Sequence, residues 1–259
     1  MYLIDSHCHL NMEFYKNDYQ EVAKRAFENG VKKLIMIGTN FQDSQRGIQI
    51  ANEISYAYTS IGWHPHDVKE IGNLKNLMKI MKLAEEKKVI AYGEIGLDYF
   101  KKYSPIDIQQ KFFRYQIGIA KELNLPIIIH DRDANRDVVK ILKEEKAYKV
   151  GGVIHCFSGE LEYAKKVIDM NFYISFPGTI TFKKNIEKAK KLIKNIPLNK
   201  ILIETDSPFL TPEPFRGKRN EPAYVKYVAE KIAEFKNISF NEVAKTTTEN
   251  CLKLFKINN

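Results

Sequence analysis

The sequence predicts an α/β fold, a single-domain (β/α)8 TIM barrel over residues 1–259. Three observations carry that expectation. Short runs rich in Ile and Val recur along the chain, as in strands covered on both faces. Longer stretches of helical periodicity separate them, and all six histidines fall at or just after the end of a run. Eight runs alternating with helices close most economically into a parallel barrel; an open, doubly wound sheet is the alternative.

YLID (2–5) is the first run, and after it Tyr19, Val22, Ala23, Ala26 and Phe27 repeat at helical spacing, with Gly30 standing where a helix-ending glycine belongs. KLIMIG (33–38), AYTSIG (57–62) and VIAYGE (89–94) supply strands two to four. PIIIH (126–130), GVIH (152–155), FYISF (172–176) and ILIET (201–205) supply strands five to eight. The Pro-rich stretch SPFLTPEPFRGKRNEP (207–222) then reads as a long loop rather than a domain boundary. Val225, Val228, Ala229, Ile232 and Ala233 mark a further helix, and Ser239 with Glu242 forms a capping box that opens a last one.

With 44% hydrophobic and 28% charged residues, the composition is that of an ordinary globular protein. No apolar run approaches the roughly 20 residues of a membrane span, and the N-terminus lacks the pattern of a secretory signal. Three scattered cysteines make no disulfide framework, so a reducing, cytoplasmic setting is expected. Neither a membrane nor an obligate protein partner is expected. Forty-one Lys and Arg against 32 Asp and Glu give a net charge of +9, which suits a polyanion such as nucleic acid. Much of that excess is lysine spread along solvated helix faces such as KIMKLAEEKK (79–88).

Barrel sites form at the C-terminal ends of the strands. His7 and His9 follow strand one, His64 and His66 strand three; His130 and His155 end strands five and six, Glu94 ends strand four and Asp206 strand eight. Residues i and i+2 of an extended chain share a face, so His7 and His9 can bind one ion while Cys8 turns away; the same alternation turns Cys156 from the pocket. His7, His9, Glu94, His130, His155 and Asp206 exceed the four donors of a tetrahedral zinc. Two divalent ions (Mg, Zn or Mn) roughly 3.5–4 Å apart and bridged by Glu94 are the natural assignment. Such a pair clamps the attacking and leaving oxygens of a phosphoester and acidifies a water, which Asp206 is placed to orient and deprotonate. Glu204 shares a face with Asp206 and can support the metals.

Phosphate contacts are expected from Arg216, Lys218 and Arg219 in the Pro-rich loop and from Arg132, whose other role would be to hold Asp98. Trp63, Tyr99, Phe100, Phe157, Phe176 and Phe209 lie near strand ends, where they can pack or stack on unpaired bases.

DSHCHL, GWHPH, GEIGLDY, IIIHDR, HCFSG and ETDSPFL followed by PEPFRGKRNEP, spanning residues 4–222, resemble the successive motifs of the TatD-type metal-dependent deoxyribonucleases, within the amidohydrolase-like metallohydrolase barrels. The resemblance implies the same six metal ligands. It also implies a catalytic role for Glu94, Asp206 and His64, with His64 beside the substrate phosphate. The implied activity is 3′ to 5′ exonuclease action on DNA; RNA cleavage and aminoacyl-tRNA deacylation are alternatives. Hydrolysis of a small amide or lactone, and metal-dependent binding without turnover, are the competing readings of the donor set.

Overall fold

The Ile- and Val-rich runs fold as strands: β1 (Leu3–Cys8), β2 (Val31–Met36), β3 (Ala57–Ile61), β4 (Val89–Asp98), β5 (Ile127–Arg132), β6 (Gly152–Ile154), β7 (Phe172–Phe176) and β8 (Ile201–Ile203). Helices α1 (Tyr19–Glu28), α2 (Phe41–Glu53), α3 (Leu74–Lys82), α4 (Ile106–Glu122), α5 (Asn135–Glu144), α6 (Leu161–Asp169), α7 (Ile186–Asn195), α8 (Val225–Lys236) and α9 (Phe240–Phe255) complete the computed structural model, which describes residues 2–258. Strand neighbours run in chain order from β1 to β8, every pair parallel. The last seam is closed by backbone just past β8. Cys8 bridges Ser207 in parallel, the Asp206 amide donates to the His7 carbonyl (2.9 Å), and the His9 amide donates to the Ser207 carbonyl (2.8 Å). Closure of that seam selects the barrel over the open sheet.

Side chains alternate between two apolar layers. Leu3, Cys8, Ile127, Ile129 and Ile154 face the helices, whereas Ile4, Ile35, Ala91, Ile128, Val153, Tyr173 and Leu202 fill the bore. Cys251, Leu254 and Phe255 of α9, with Ile257, pack on the bore residues. That helix is tied to the N-terminal ends of β1 and β8 by Thr248, which donates to the Tyr2 carbonyl (2.9 Å), and by Asn250, which donates to the Ile201 carbonyl (2.8 Å). Ser239 caps it by accepting from the Glu242 amide (3.1 Å), and Gly30 (φ +88°) follows α1 in the left-handed region.

Several strand ends differ from the sequence expectation. β4 runs on to Asp98 because its pairing with β5 continues from Ile95↔Ile129 to Asp98↔Arg132, so Glu94 lies within the strand rather than at its end. β1 likewise extends past His7 to Cys8. Both strands carry a register irregularity, between Asp5 and Cys8 in β1 and between Tyr92 and Ile95 in β4. With Ile4 and Ala91 facing the bore, strict alternation would turn His7 and Glu94 outward; one extra residue turns them in. β6 and β8 stop earlier than expected, at Ile154 and Ile203, which leaves His155 and Asp206 on connecting backbone. The Pro-rich loop is pinned: Asn220 donates to the Thr205 (2.9 Å) and Phe209 (2.5 Å) carbonyls, and the Tyr15 hydroxyl donates to the Asn220 carbonyl (2.5 Å). Among the described residues no helix is long and apolar enough to cross a membrane.

Candidate metal centre

The six donors expected from sequence converge at the C-terminal mouth. Glu94 stands among them, and its two carboxylate oxygens address different groups. Oε1 lies 2.8 Å from His130 Nδ1 and 2.8 Å from His155 Nε2. Oε2 lies 3.5 Å from His7 Nε2. Asp206 Oδ1 closes the His7 side, 3.3 Å from His9 Nε2 and 3.6 Å from His7 Nε2. The triads His7–His9–Glu94 and Glu94–His130–His155 each bring their ligand atoms within 4.8 Å of one another.

This donor set fits divalent cations. Imidazole nitrogens face one another at 3.3 Å (His7 and His9) and 3.4 Å (His130 and His155), an arrangement that sets lone pair against lone pair unless a proton or cation lies between them. Burial raises the Glu94 carboxyl, but the His155, His64 and His130 imidazoles overcome it and hold the group well below its ordinary value. Burial likewise raises Asp206, and the His9 and His7 rings reverse the effect. Both carboxylates are therefore ionised at neutral pH, as ligands to a hard or borderline cation must be.

Other residues hold the donors in place. His130 turns Nδ1 to Glu94, while Nε2 donates to Asp98 Oδ2 (3.1 Å), which also accepts from His66 Nε2 (2.7 Å); Asp98 Oδ1 accepts from the Lys101 amide (2.7 Å). A carboxylate on the remote nitrogen fixes both the tautomer and the orientation of a ligating imidazole. Glu204 Oε1 sits 3.6 Å from His155 Nδ1, behind that ring, and accepts from the Cys156 amide (2.6 Å). Asp5, fully buried, accepts from the His7 amide (3.3 Å) and the Thr205 amide (2.9 Å), locking the backbone beside His7 to that beside Asp206. Gly96 is required for the approach of β4 to β5: a Cβ there would stand 2.0 Å from the His130 carbonyl oxygen. From sequence His66 had only its place after strand three and Asp98 only a possible pairing with Arg132, and Asp5 had no role; an ionisable group inside or beside an apolar run was the available signal.

Above the donors opens a cavity of about 530 Å³ lined in part by His9, His64, Glu94, His130, His155 and Asp206. A second cavity of about 420 Å³ adjoins it and shares His130, Arg132, His155, Asp206 and Phe209. Cys156 lines this second space, against expectation, because it adopts φ +48° and breaks the alternation that would have turned it away. Asp206 also takes a left-handed φ, +54°. His64 Nδ1 accepts from the His66 amide (3.1 Å), so its neutral ring carries the proton on Nε2, which points at Glu94 Oε1 (3.4 Å). Burial pushes the His64 pKa down to about 4, against the attraction of Glu94.

The expected phosphate contacts divide. Arg132 lines both cavities and lies over the Phe100 ring (4.0 Å); it does not hold Asp98, which His66, His130 and Lys101 already engage. Arg216 stacks on Phe182 (3.9 Å), Lys218 lies 5.8 Å from the Phe215 ring centre, and Arg219 pairs with Asp18 (Nη1 to Oδ1, 3.1 Å) and donates to the Phe14 carbonyl (2.7 Å). None of these three loop cations lines either cavity. Of the aromatics, Trp63, Phe157 and Phe176 are buried and Tyr99 donates to Asp137 (2.8 Å), leaving Phe100 and Phe209 exposed.

Comparison with known proteins agrees with this geometry. The sequence pattern described as TatD related DNase matches residues 4–256. The chain is 52% identical over 256 residues to the uncharacterized metal-dependent hydrolase YabD of Bacillus subtilis (strain 168), covering 99% of this chain and 100% of that one. It is 32% identical over 260 residues to the 3′-5′ ssDNA/RNA exonuclease TatD of Salmonella typhimurium, covering 98% and 99%. Among solved structures, the TatD homologue YJJV of Escherichia coli K12 superposes with a TM-score of 0.92 at 30% identity, covering 99% of this chain and 98% of that one. The chain belongs to the TatD related DNase family, a family of metal-dependent hydrolases.

Proposed function

We propose that this protein is a divalent-metal-dependent nuclease that removes nucleotides from the 3′ ends of single-stranded DNA, with RNA as a second substrate. The carrying observation is the division of Glu94: one oxygen meets His130 and His155, the other meets His7, at the floor of an open cavity of about 530 Å³. His7, His9, Asp206 and Glu94 would hold one ion, and Glu94, His130 and His155 the other. Two bound ions (Mg, Zn or Mn) supply Lewis-acid polarisation of the phosphoryl oxygens and lower the pKa of a water.

The chain's own groups do the rest. Asp206, ionised beside His9 and His7, orients the attacking water and accepts its proton. His64 is neutral and presents Nε2–H, so it donates to a non-bridging phosphate oxygen rather than acting as a metal ligand. Arg132, on the wall between the two cavities, grips the next phosphate. Arg216 and Lys218 lie further out and draw in the polyanion through the field of a chain of net charge +9, while Arg219 anchors the Pro-rich loop to Asp18. The name of the Salmonella relative supports the substrate class, and three free cysteines suit a cytoplasmic setting.

The test is digestion of a 5′-labelled oligonucleotide. Chelation is expected to stop it, added divalent ion to restore it, and products to shorten one nucleotide at a time from the 3′ end. A Glu94→Ala protein that digests as well as wild type overturns the reading. Turnover of an aminoacyl-tRNA with no oligonucleotide digestion would replace phosphodiester hydrolysis with ester hydrolysis.

A further inference from the structure

Large apolar side chains exposed at the barrel mouth form two groups. Phe14 is 59% exposed and Phe209 43%; Phe100 is 57% exposed and Tyr103 54%. Phe14 follows β1 and Phe209 follows β8, the two strand ends joined at the seam, whereas Phe100 and Tyr103 follow β4, half-way round the strand order. The groups therefore stand on opposite sides of the mouth, and the cavity lined by the metal donors reaches both: Phe209 lines one side of it and Lys101 the other.

Each side is organised. The Phe14 and Phe209 rings meet edge to face at 5.9 Å, and Phe209 meets His9 at 6.3 Å. Opposite, Arg132 covers Phe100 at 4.0 Å, and Lys101 lies 5.8 Å from the Phe100 ring centre and 5.7 Å from that of Tyr103. A protein partner would favour one contiguous apolar patch. Here a polar, donor-lined cavity separates two aromatic surfaces, and cations lie on one of them. Aromatic faces interleaved with fixed positive charge are what unpaired bases and their phosphates require.

We infer that the mouth binds a single-stranded polynucleotide across two opposed stacking platforms, Phe14 with Phe209 and Phe100 with Tyr103, so that the strand is held on both sides of the metal donors. The inference rests on the nuclease reading for its substrate class. It adds that paired bases, whose faces are hidden in the stack, cannot use the platforms.

The experiment measures fluorescence anisotropy of a 5′-labelled phosphorothioate oligothymidylate, which resists cutting, with the magnesium-loaded full-length protein. Phe14→Ala and Tyr103→Ala are each expected to weaken the Kd by about 5- to 100-fold. Tyr115→Ala, an exposed aromatic on α4 away from the mouth, is expected to leave it unchanged. A labelled duplex of equal length is expected to bind at least about 10-fold more weakly than the single strand. Wild-type affinity in either Phe14→Ala or Tyr103→Ala, or an equal loss in Tyr115→Ala, overturns the two-sided binding. Failure of the two readings is distinguishable. A protein that trims ordinary oligonucleotides from the 3′ end but binds them equally well in both variants keeps the nuclease reading and loses the platforms. One that needs the platforms for binding but cuts nothing does the reverse.

Discussion

Ile128 and His130 lie two residues apart on β5 and face the same bore, yet the first belongs to an apolar plug and the second to a cluster of charges. The chain repeats the step as it leaves β6, from Val153 to His155, and as it leaves β8, from Leu202 to Glu204 and on to Asp206. Two residues of strand are about 7 Å, so a single layer divides the half of the barrel that stabilises from the half that reacts. Burying the lower half is favourable in itself. Burying Glu94, Asp98 and Glu204 in the upper half is costly and is tolerated only because each meets a histidine or a backbone amide. Chemistry and stability are therefore mutable separately, which the following substitutions test.

The largest effect is expected for Glu94→Ala, which removes the group shared by both donor sets: metal-dependent turnover should fall by at least about 1,000-fold. The metal-free protein should still fold, because the apolar layer below is untouched, although it loses the pairing of Glu94 with His130 and His155; a collapse of the metal-free fold would show that the two halves are not separable. Ile128→Ala, one layer below, should do the opposite, costing about 2–4 kcal/mol in urea unfolding while the folded fraction keeps its kcat. Asp98→Asn leaves His130 without its carboxylate and should weaken metal binding about 10- to 100-fold in a competition titration. In metal-free protein the His64 ring, its pKa lowered to about 4, should show no NMR titration between pH 5 and 8; a midpoint near 6.5 would remove its role as a neutral donor. Smallest of all, Arg219→Ala breaks an exposed ion pair and should cost under about 1 kcal/mol. Because Arg219 holds Asp18 below its ordinary 3.8, that contribution is present at neutral pH and is lost as the pH falls through the depressed value.

The upper layer was legible in the sequence because ionisable residues that close Ile- and Val-rich runs have few places to go except a site. His130, His155 and Asp206 needed only that pattern and the rule that barrel sites lie at strand ends. His7 and Glu94 were assigned to the mouth although strict alternation from Ile4 and Ala91 points them outward, since the bulges that rotate them depend on pairing with β2 and β5 rather than on local composition. Arg219 illustrates what spacing cannot supply. Its proximity in sequence to Asp206 suggested a phosphate contact, while its partner, Asp18, lies 201 residues away and approaches only once the barrel has closed. Asp98 was hidden for a related reason: the continuation of β4 through it is set by β5.

Closure of the seam also bears on how the protein is made. The backbone that joins β1 to β8 is the backbone of the donors: the Asp206 amide bonds the His7 carbonyl, and the His9 amide bonds the Ser207 carbonyl. A chain still on the ribosome makes His7 and His9 about 200 residues before Asp206, and cannot complete the centre until residue 207 has emerged to meet them. A copy that stops short of residue 206 therefore lacks Asp206 and the backbone that fixes His7 and His9. For a metal-dependent hydrolase of this family, such a topology withholds the assembled centre until β8 and the residues that follow it have been made.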